Sequence, residues 1–210
     1  MAVRTPVPSS IPSSVFGSSA CGAFEDFIRN VDWLRERETS PRRLAAGVAR
    51  ELRVLLQRPD WLKAEHRLPG DTTYRQHLLH VADDGGYSVV SLVWKPGQRT
   101  PIHDHVAWCV VGVYEGVETE TRYRLYEHGP ERFLVSGGSR IALPGDTIAL
   151  VPPAENVHEV CNESSEVAIS IHVYGANIRE LGTSIYQRFD DLDRRPDAGA
   201  ARRVLWRPAA

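Results

Sequence analysis

Little in this chain is suited to cross-linking, to spanning a bilayer or to binding by bulk charge. Only three cysteines occur, Cys21, Cys109 and Cys161; an odd number without paired spacing argues against a disulfide framework and for a reducing compartment. No apolar run approaches the length of a membrane span, and a formal net charge of −2 gives no general attraction to nucleic acid or an anionic membrane. The first twenty residues are rich in Ser and Pro but lack a basic start leading into an apolar stretch, so they read as a flexible arm rather than a signal peptide. The expectation is a cytoplasmic protein without nucleic-acid or membrane partners; oligomeric state has no signature. What is present suffices for a core, since 42 % of the 210 residues are hydrophobic.

The patterning changes once, near Pro69-Gly70. Before it, apolar residues at spacings of three and four predict helices over 23–34 and 41–56, the second carrying Leu44, Val48, Leu52 and Leu55 behind an N-cap at Ser40 and a first-turn Pro41. A shorter helix is expected around 60–65. After it, short β-branched runs between glycine or proline turns predict strands at 74–81, 87–94, 108–114, 119–126, 132–135, 147–151, 158–161 and 167–174. Strands at this spacing build a sandwich or barrel. Residues 176–189 read as a closing helix or loop. The organisation is thus an arm over 1–22, one domain over 23–190 with helices in 23–68 and a barrel in 69–190, and a tail over 191–210, mobile or an interface arm.

Chemistry concentrates in two segments of that barrel. In Pro101-Ile102-His103-Asp104-His105 the histidines alternate, and alternate residues of a strand share a face, so both imidazoles can enter one cavity. A third, His158, stands in Asn156-Val157-His158-Glu159, preceded by Gly145-Asp146 and Pro152-Pro153 and followed by Asn162; Gly97 and Gly116 flank the first pair. A lone His-x-His is more often a polar face than a ligand pair, but here the agreement of several features favours metal binding. Together the two segments resemble the paired motifs of the cupin superfamily, which implies an all-β double-stranded β-helix barrel holding a metal near its axis. His103, His105 and His158 are the expected ligands, and His66, His77, His80 and His128 belong to neither motif.

A third cluster, Ser170-Ile171-His172-Val173-Tyr174, sets Ser170, His172 and Tyr174 at period two on one strand face, so that serine can orient histidine and histidine the tyrosine hydroxyl. With the three histidines, this looks like the thiol dioxygenases, the cysteine dioxygenase family of iron cupins, over about residues 74–174. That resemblance implies one Fe(2+) per chain, O2 as co-substrate, and conversion of a small thiol to its sulfinic acid. Most cupins add a glutamate four residues after the His-x-His pair; here the position is Cys109, which leaves three neutral imidazoles and a metal of undiminished charge for a thiolate. The resemblance also implies that Tyr174 donates a hydrogen bond to substrate or oxygen.

Two further positions bear on chemistry and specificity. Mammalian relatives link a cysteine near Cys109 covalently to the active-site tyrosine, whereas this chain has one residue fewer before it, so a Cys109 thioether to Tyr174 and a buried, inert thiol are both open. Tyr74-Arg75-Gln76-His77-Leu78 resembles the family segment whose arginine grips a substrate carboxylate, with Gln76 in the arginine's place. A glutamine amide cannot reproduce a bidentate guanidinium pair. The resemblance is therefore to the glutamine-type branch, with Tyr74 and Gln76 in the substrate pocket and 3-mercaptopropionate favoured over L-cysteine. Arg75, which alternation turns away from residues 74 and 76, and Arg179 are the other cations considered. A zinc or manganese cupin acting as isomerase or hydrolase through bound water, and a non-catalytic ligand-binding cupin, are the rival classes.

Overall fold

A computed structural model describes residues 20–153 and 156–195; the proposed arm up to residue 19 and the tail from residue 196 lie outside the described residues. Two helices, α1 (Ala20–Arg37) and α2 (Pro41–Leu56), precede a 3₁₀ turn at Ala64–Arg67. Eleven strands and one short helix follow: β1 (Arg75–Val81), β2 (Ser88–Trp94), β3 (His103–His105), β4 (Cys109–Glu115), β5 (Glu118–His128), β6 (Glu131–Ala142), β7 (Thr147–Leu150), β8 (Val157–Cys161), β9 (Ala168–Tyr174), α3 (Ile178–Leu181), β10 (Ile185–Arg188) and β11 (Asp193–Arg195). They form a five-stranded sheet in the order β1-β2-β9-β4-β7 and a six-stranded sheet in the order β10-β3-β8-β5-β6-β11.

The first sheet is covered on both faces. Every residue of β2 and β9 is buried, because alternate side chains serve different cores and neither face meets water. One set, including Val89, Val93, Val110, Ile169 and Ile171, packs with Leu44, Val48, Leu52 and Leu55 of α2. The other, including Val90, Leu92, Trp94, Val111 and Tyr174, fills the barrel with Val160 of β8 in the opposite sheet. The cap of α2 is as the sequence predicts: the Ser40 hydroxyl accepts from the Arg43 amide at 3.4 Å, and Pro41 takes the first turn. Two glycines set the close approaches. A Cβ on Gly112 would lie 2.7 Å from Leu56 Cδ1 and 2.8 Å from Leu52 Cδ2, so its absence lets α2 reach β4; Gly116 turns the chain from β4 to β5 at φ 76° with Ala168 against it.

Differences from expectation lie at the edges. The first helix starts at Ala20, inside the segment assigned to the arm, and β6 runs on to Ala142 rather than ending near 135. Residues 176–189 contain both α3 and β10. The chain also stays in the barrel beyond residue 190, where β11 pairs in parallel with β6. Among the described residues, no helix is long and apolar enough to cross a membrane.

Candidate metal centre

The three expected ligands come from neighbouring strands of the six-stranded sheet. His103 and His105 stand on the same face of β3, and His158 on β8 is the direct partner of His103. Their candidate ligand atoms lie within 4.8 Å of one another, and the residues are 4 %, 4 % and 2 % exposed. Each ring is held by its Nδ1: His103 by the Pro101 carbonyl at 2.9 Å, His105 by Asn156 Oδ1 at 2.9 Å and His158 by Glu120 Oε1 at 2.9 Å. An Nδ1–H donating to an acceptor leaves the Nε2 lone pair free for an ion. Glu120 is itself held by Arg122 at 3.3 Å. Burial pushes its carboxyl up, but the hydrogen bond to His158 and the charges of His158 and Arg122 outweigh this and leave it below the ordinary value.

Burial, reinforced by His158, drives His103 down to about 3, and burial with both neighbouring rings puts His105 well below its ordinary value. Neutral imidazole is the form that binds metal. Three converging imidazoles with no carboxylate among them fit one divalent first-row ion. His66, His77 and His80 lie outside this cluster, with His77 bonded to the Leu68 carbonyl at 2.8 Å; the side chain of His128 is outside the described set. Asn162, part of the sequence motif, ties the barrel together rather than serving the ion, since its amide donates to the Trp94 and Glu166 carbonyls at 3.1 and 2.7 Å.

Across the barrel, β9 presents the second cluster. Ser170 Oγ lies 2.9 Å from His172 Nε2, and His172 Nδ1 lies 3.0 Å from the Tyr174 hydroxyl. The Tyr174 ring is 6.1 Å from that of His105. Burial, with Cys109 adding to it, raises the Tyr174 hydroxyl well above its ordinary value, so it remains an O–H donor; Ser184 is a further hydrogen-bond partner. His172 is driven to about 3 by burial, then by His105 and His158, and stays neutral. Cys109 on β4 is the register partner of Tyr174 and a buried free thiol, at the separation typical of cross-strand neighbours.

The expected pocket residues lie at the rim. Tyr74 precedes β1 and stacks on Trp94 at 4.5 Å. Gln76 is exposed, and its register with Leu92, itself opposite Ser170, puts it on the interior face of the edge strand. Arg75 and Arg179 are exposed. Sequence reasoning missed Glu120, the role of Asn156 and the cation Arg188. Arg188 on β10 is the register partner of His103, and its charge reaches both His103 and Tyr74. Glutamates two residues apart at 118 and 120, across the start of the strand predicted over 119–126, were the available signal for buried carboxyls; nothing local in the sequence pairs β10 with β3.

Solved structures with sequence identity of 20 % or less resemble parts of the chain. A Klebsiella pneumoniae protein with a double-stranded β-helix domain is 18 % identical, with 58 % of this chain and 88 % of that chain covered and a TM-score of 0.44. Oxalate oxidase in complex with glycolate is 19 % identical, with coverages of 58 % and 62 % and a TM-score of 0.41. A sugar phosphate isomerase of the cupin superfamily from Silicibacter pomeroyi is 20 % identical, with coverages of 47 % and 57 % and a TM-score of 0.36. The family comparison carries the assignment, because the match to cysteine dioxygenase type I runs over residues 70–183, more than half of the chain, and takes in every residue of both clusters. The chain belongs to the cysteine dioxygenase type I family.

Proposed function

We propose that the protein is a non-haem iron thiol dioxygenase that adds both atoms of O2 to the sulfur of a small thiol carboxylate, RSH + O2 giving RSO2H, with 3-mercaptopropionate preferred to L-cysteine. The observation that carries this reading is the facing of two clusters across one barrel: three buried imidazoles whose candidate ligand atoms converge on one sheet, and the Ser170-His172-Tyr174 chain on the other. His103, His105 and His158 would hold Fe(2+), which would supply the Lewis-acid and redox chemistry that joins a thiolate to O2. The chain's own residues orient and exclude water. Trp94, Leu92 and Val90 line the interior, and the Tyr174 hydroxyl, kept protonated by burial, provides a donor at the reacting face. Such a donor acts most strongly where water is absent.

The substrate preference rests on charge at the rim. Gln76 occupies the place of the family's carboxylate-gripping arginine and offers an amide in its stead, which weakens the hold on cysteine, whose ammonium must also be accommodated near a 2+ ion. The cation that reaches the site is Arg188, from β10 beside His103, and a carboxylate lying toward Tyr74 would meet it. The Cys109–Tyr174 register pair sets the thiol beside the tyrosine, where a thioether would form with its two hydrogens passing to O2 as oxidant; intact mass distinguishes it, two hydrogens lighter, from the free thiol.

The test is O2 consumption by iron-loaded protein with 3-mercaptopropionate, L-cysteine and cysteamine in parallel, repeated with Gln76→Arg. The expected order places 3-mercaptopropionate first, with the variant shifted toward cysteine. A native preference for cysteine overturns the substrate assignment, and no consumption with any thiol overturns the reaction.

A further inference from the structure

A second buried carboxyl stands behind the β9 cluster. Glu118 on β5 is 2 % exposed, and its Oε1 has no hydrogen-bond partner. The carboxyl interacts with the Ser170 hydroxyl and the Trp94 indole N–H. It borders a cavity of about 20 Å³ shared with Glu120, His158, Val111, Val113 and Val160, room for about one water. A buried carboxyl with one oxygen unpartnered, beside the first member of a hydrogen-bonded chain, demands a reason, because an unsatisfied buried polar atom is costly.

Proton counting supplies one. Trp94 Nε1 can only donate, and it lies 3.2 Å from Ser170 Oγ. Ser170 has one proton to give, and neutral His172 has one N–H. When Glu118 is ionised it accepts from Ser170; Ser170 then accepts from His172 Nε2–H, and the bare His172 Nδ1 accepts a hydrogen bond from the Tyr174 hydroxyl. When Glu118 is protonated it donates to Ser170; Ser170 donates to His172 Nε2, the ring carries its proton on Nδ1, and that N–H donates to the Tyr174 oxygen. The hydroxyl proton is then released from His172. We propose that Glu118 is a positioning residue which, through Ser170, selects the His172 tautomer and so decides whether the Tyr174 hydroxyl donates its hydrogen bond to His172 or is free to direct it into the metal site.

Burial pushes the Glu118 carboxyl up to about 7, against the lowering by Ser170 and Trp94, so both arrangements are populated near neutrality. The charged and titratable groups around its cavity are Glu120 on the same strand, His158 on β8 and Asp146 between β6 and β7. Glu120 and Asp146 are paired with Arg122 and Arg140. The faces of β2, β4 and β9 that meet Glu118 contribute Trp94, Val111, Val113 and Ser170, none of which titrates near neutral pH.

The tautomer can be read directly by ¹⁵N NMR of histidine-labelled, zinc-loaded full-length protein between pH 5.5 and 8.5, with His172 assigned from a His172→Gln sample. The expected result is Nδ1–H at the acid end and Nε2–H at the alkaline end in the native protein, and Nδ1–H throughout in Glu118→Gln, whose amide donates to Ser170 at every pH. A single His172 tautomer across the range in the native protein overturns the proposal even if the variant fails to fold, and so does a variant that follows the native titration. The consequence for turnover rests on the thiol dioxygenase reading: on the alkaline side the native rate should fall by about tenfold per pH unit past its midpoint, and that limb should be missing in Glu118→Gln. An unaltered limb in the variant rejects the catalytic role. Absence of turnover with every thiol rejects the reading of the reaction, while the NMR result still decides the tautomer.

Discussion

Each of the three metal-type histidines gives its Nδ1 to a different kind of acceptor, and removal of those acceptors should therefore not be equivalent. Glu120→Gln leaves His158 a neutral partner in place of a charged one, and a loss of about 10- to 100-fold in metal affinity is expected in a chelator competition. Asn156→Ala should weaken the site through His105, whereas His103 leans on the Pro101 carbonyl, which no substitution at its own side chain removes. His158→Ala should lose metal and activity together; full metal content in that variant would exclude the three-histidine site. Tyr174→Phe should keep the metal and lose turnover by an amount worth a few kcal/mol, and unchanged turnover would remove the tyrosine from the mechanism. At this scale the candidate ligands were legible in the sequence because alternation makes His103 and His105 neighbours on one face. Their acceptors were not legible: Glu120 and Pro101 reach the site through strand pairing and backbone direction, and Asn156 showed only its place beside His158.

Among the elements, α2 and β4 meet closely enough to exclude a side chain between them. Gly112 leaves no room for a Cβ beside Leu52 and Leu56, both in the core between helix and sheet. Gly112→Ala should therefore cost about 1–3 kcal/mol in chemical denaturation while metal content holds, since the clash is on the face away from the ligands. An unchanged denaturation midpoint would mean that α2 is not seated on β4 as described. The strands with β-branched runs were legible in the sequence because their side chains alternate between two cores. The far half of β6 was not: Ser136-Gly137-Gly138-Ser139 reads as a turn, yet pairing with β5 continues through a register shift opposite Arg122 and Tyr123, with Gly138 at φ 101°. The strands β10 and β11 carry almost wholly exposed side chains, so they have no apolar period to find.

At the scale of the whole molecule, His172 and Glu118 contribute to opposite pH limbs of stability. His172 is lowered to about 3 from 6.5, so its contribution is full above 6.5 and is lost as pH falls toward 3. Glu118 is raised from 4.5 to about 7, so its contribution is full below 4.5 and is lost as pH rises through 7. A shift of that size corresponds to roughly 3 kcal/mol as an upper estimate. Glu118→Gln should therefore gain thermal stability relative to the native protein as pH rises from 5 to 8, and a difference that does not change with pH would show that Glu118 is not buried in the state that unfolds.

Iron-loaded protein supplied with 3-mercaptopropionate under ¹⁸O2, with mass analysis of the product, tests the central claim most directly. Thiol dioxygenation predicts a sulfinate carrying two ¹⁸O atoms per molecule. A product with one ¹⁸O or none, or only disulfide, would contradict it.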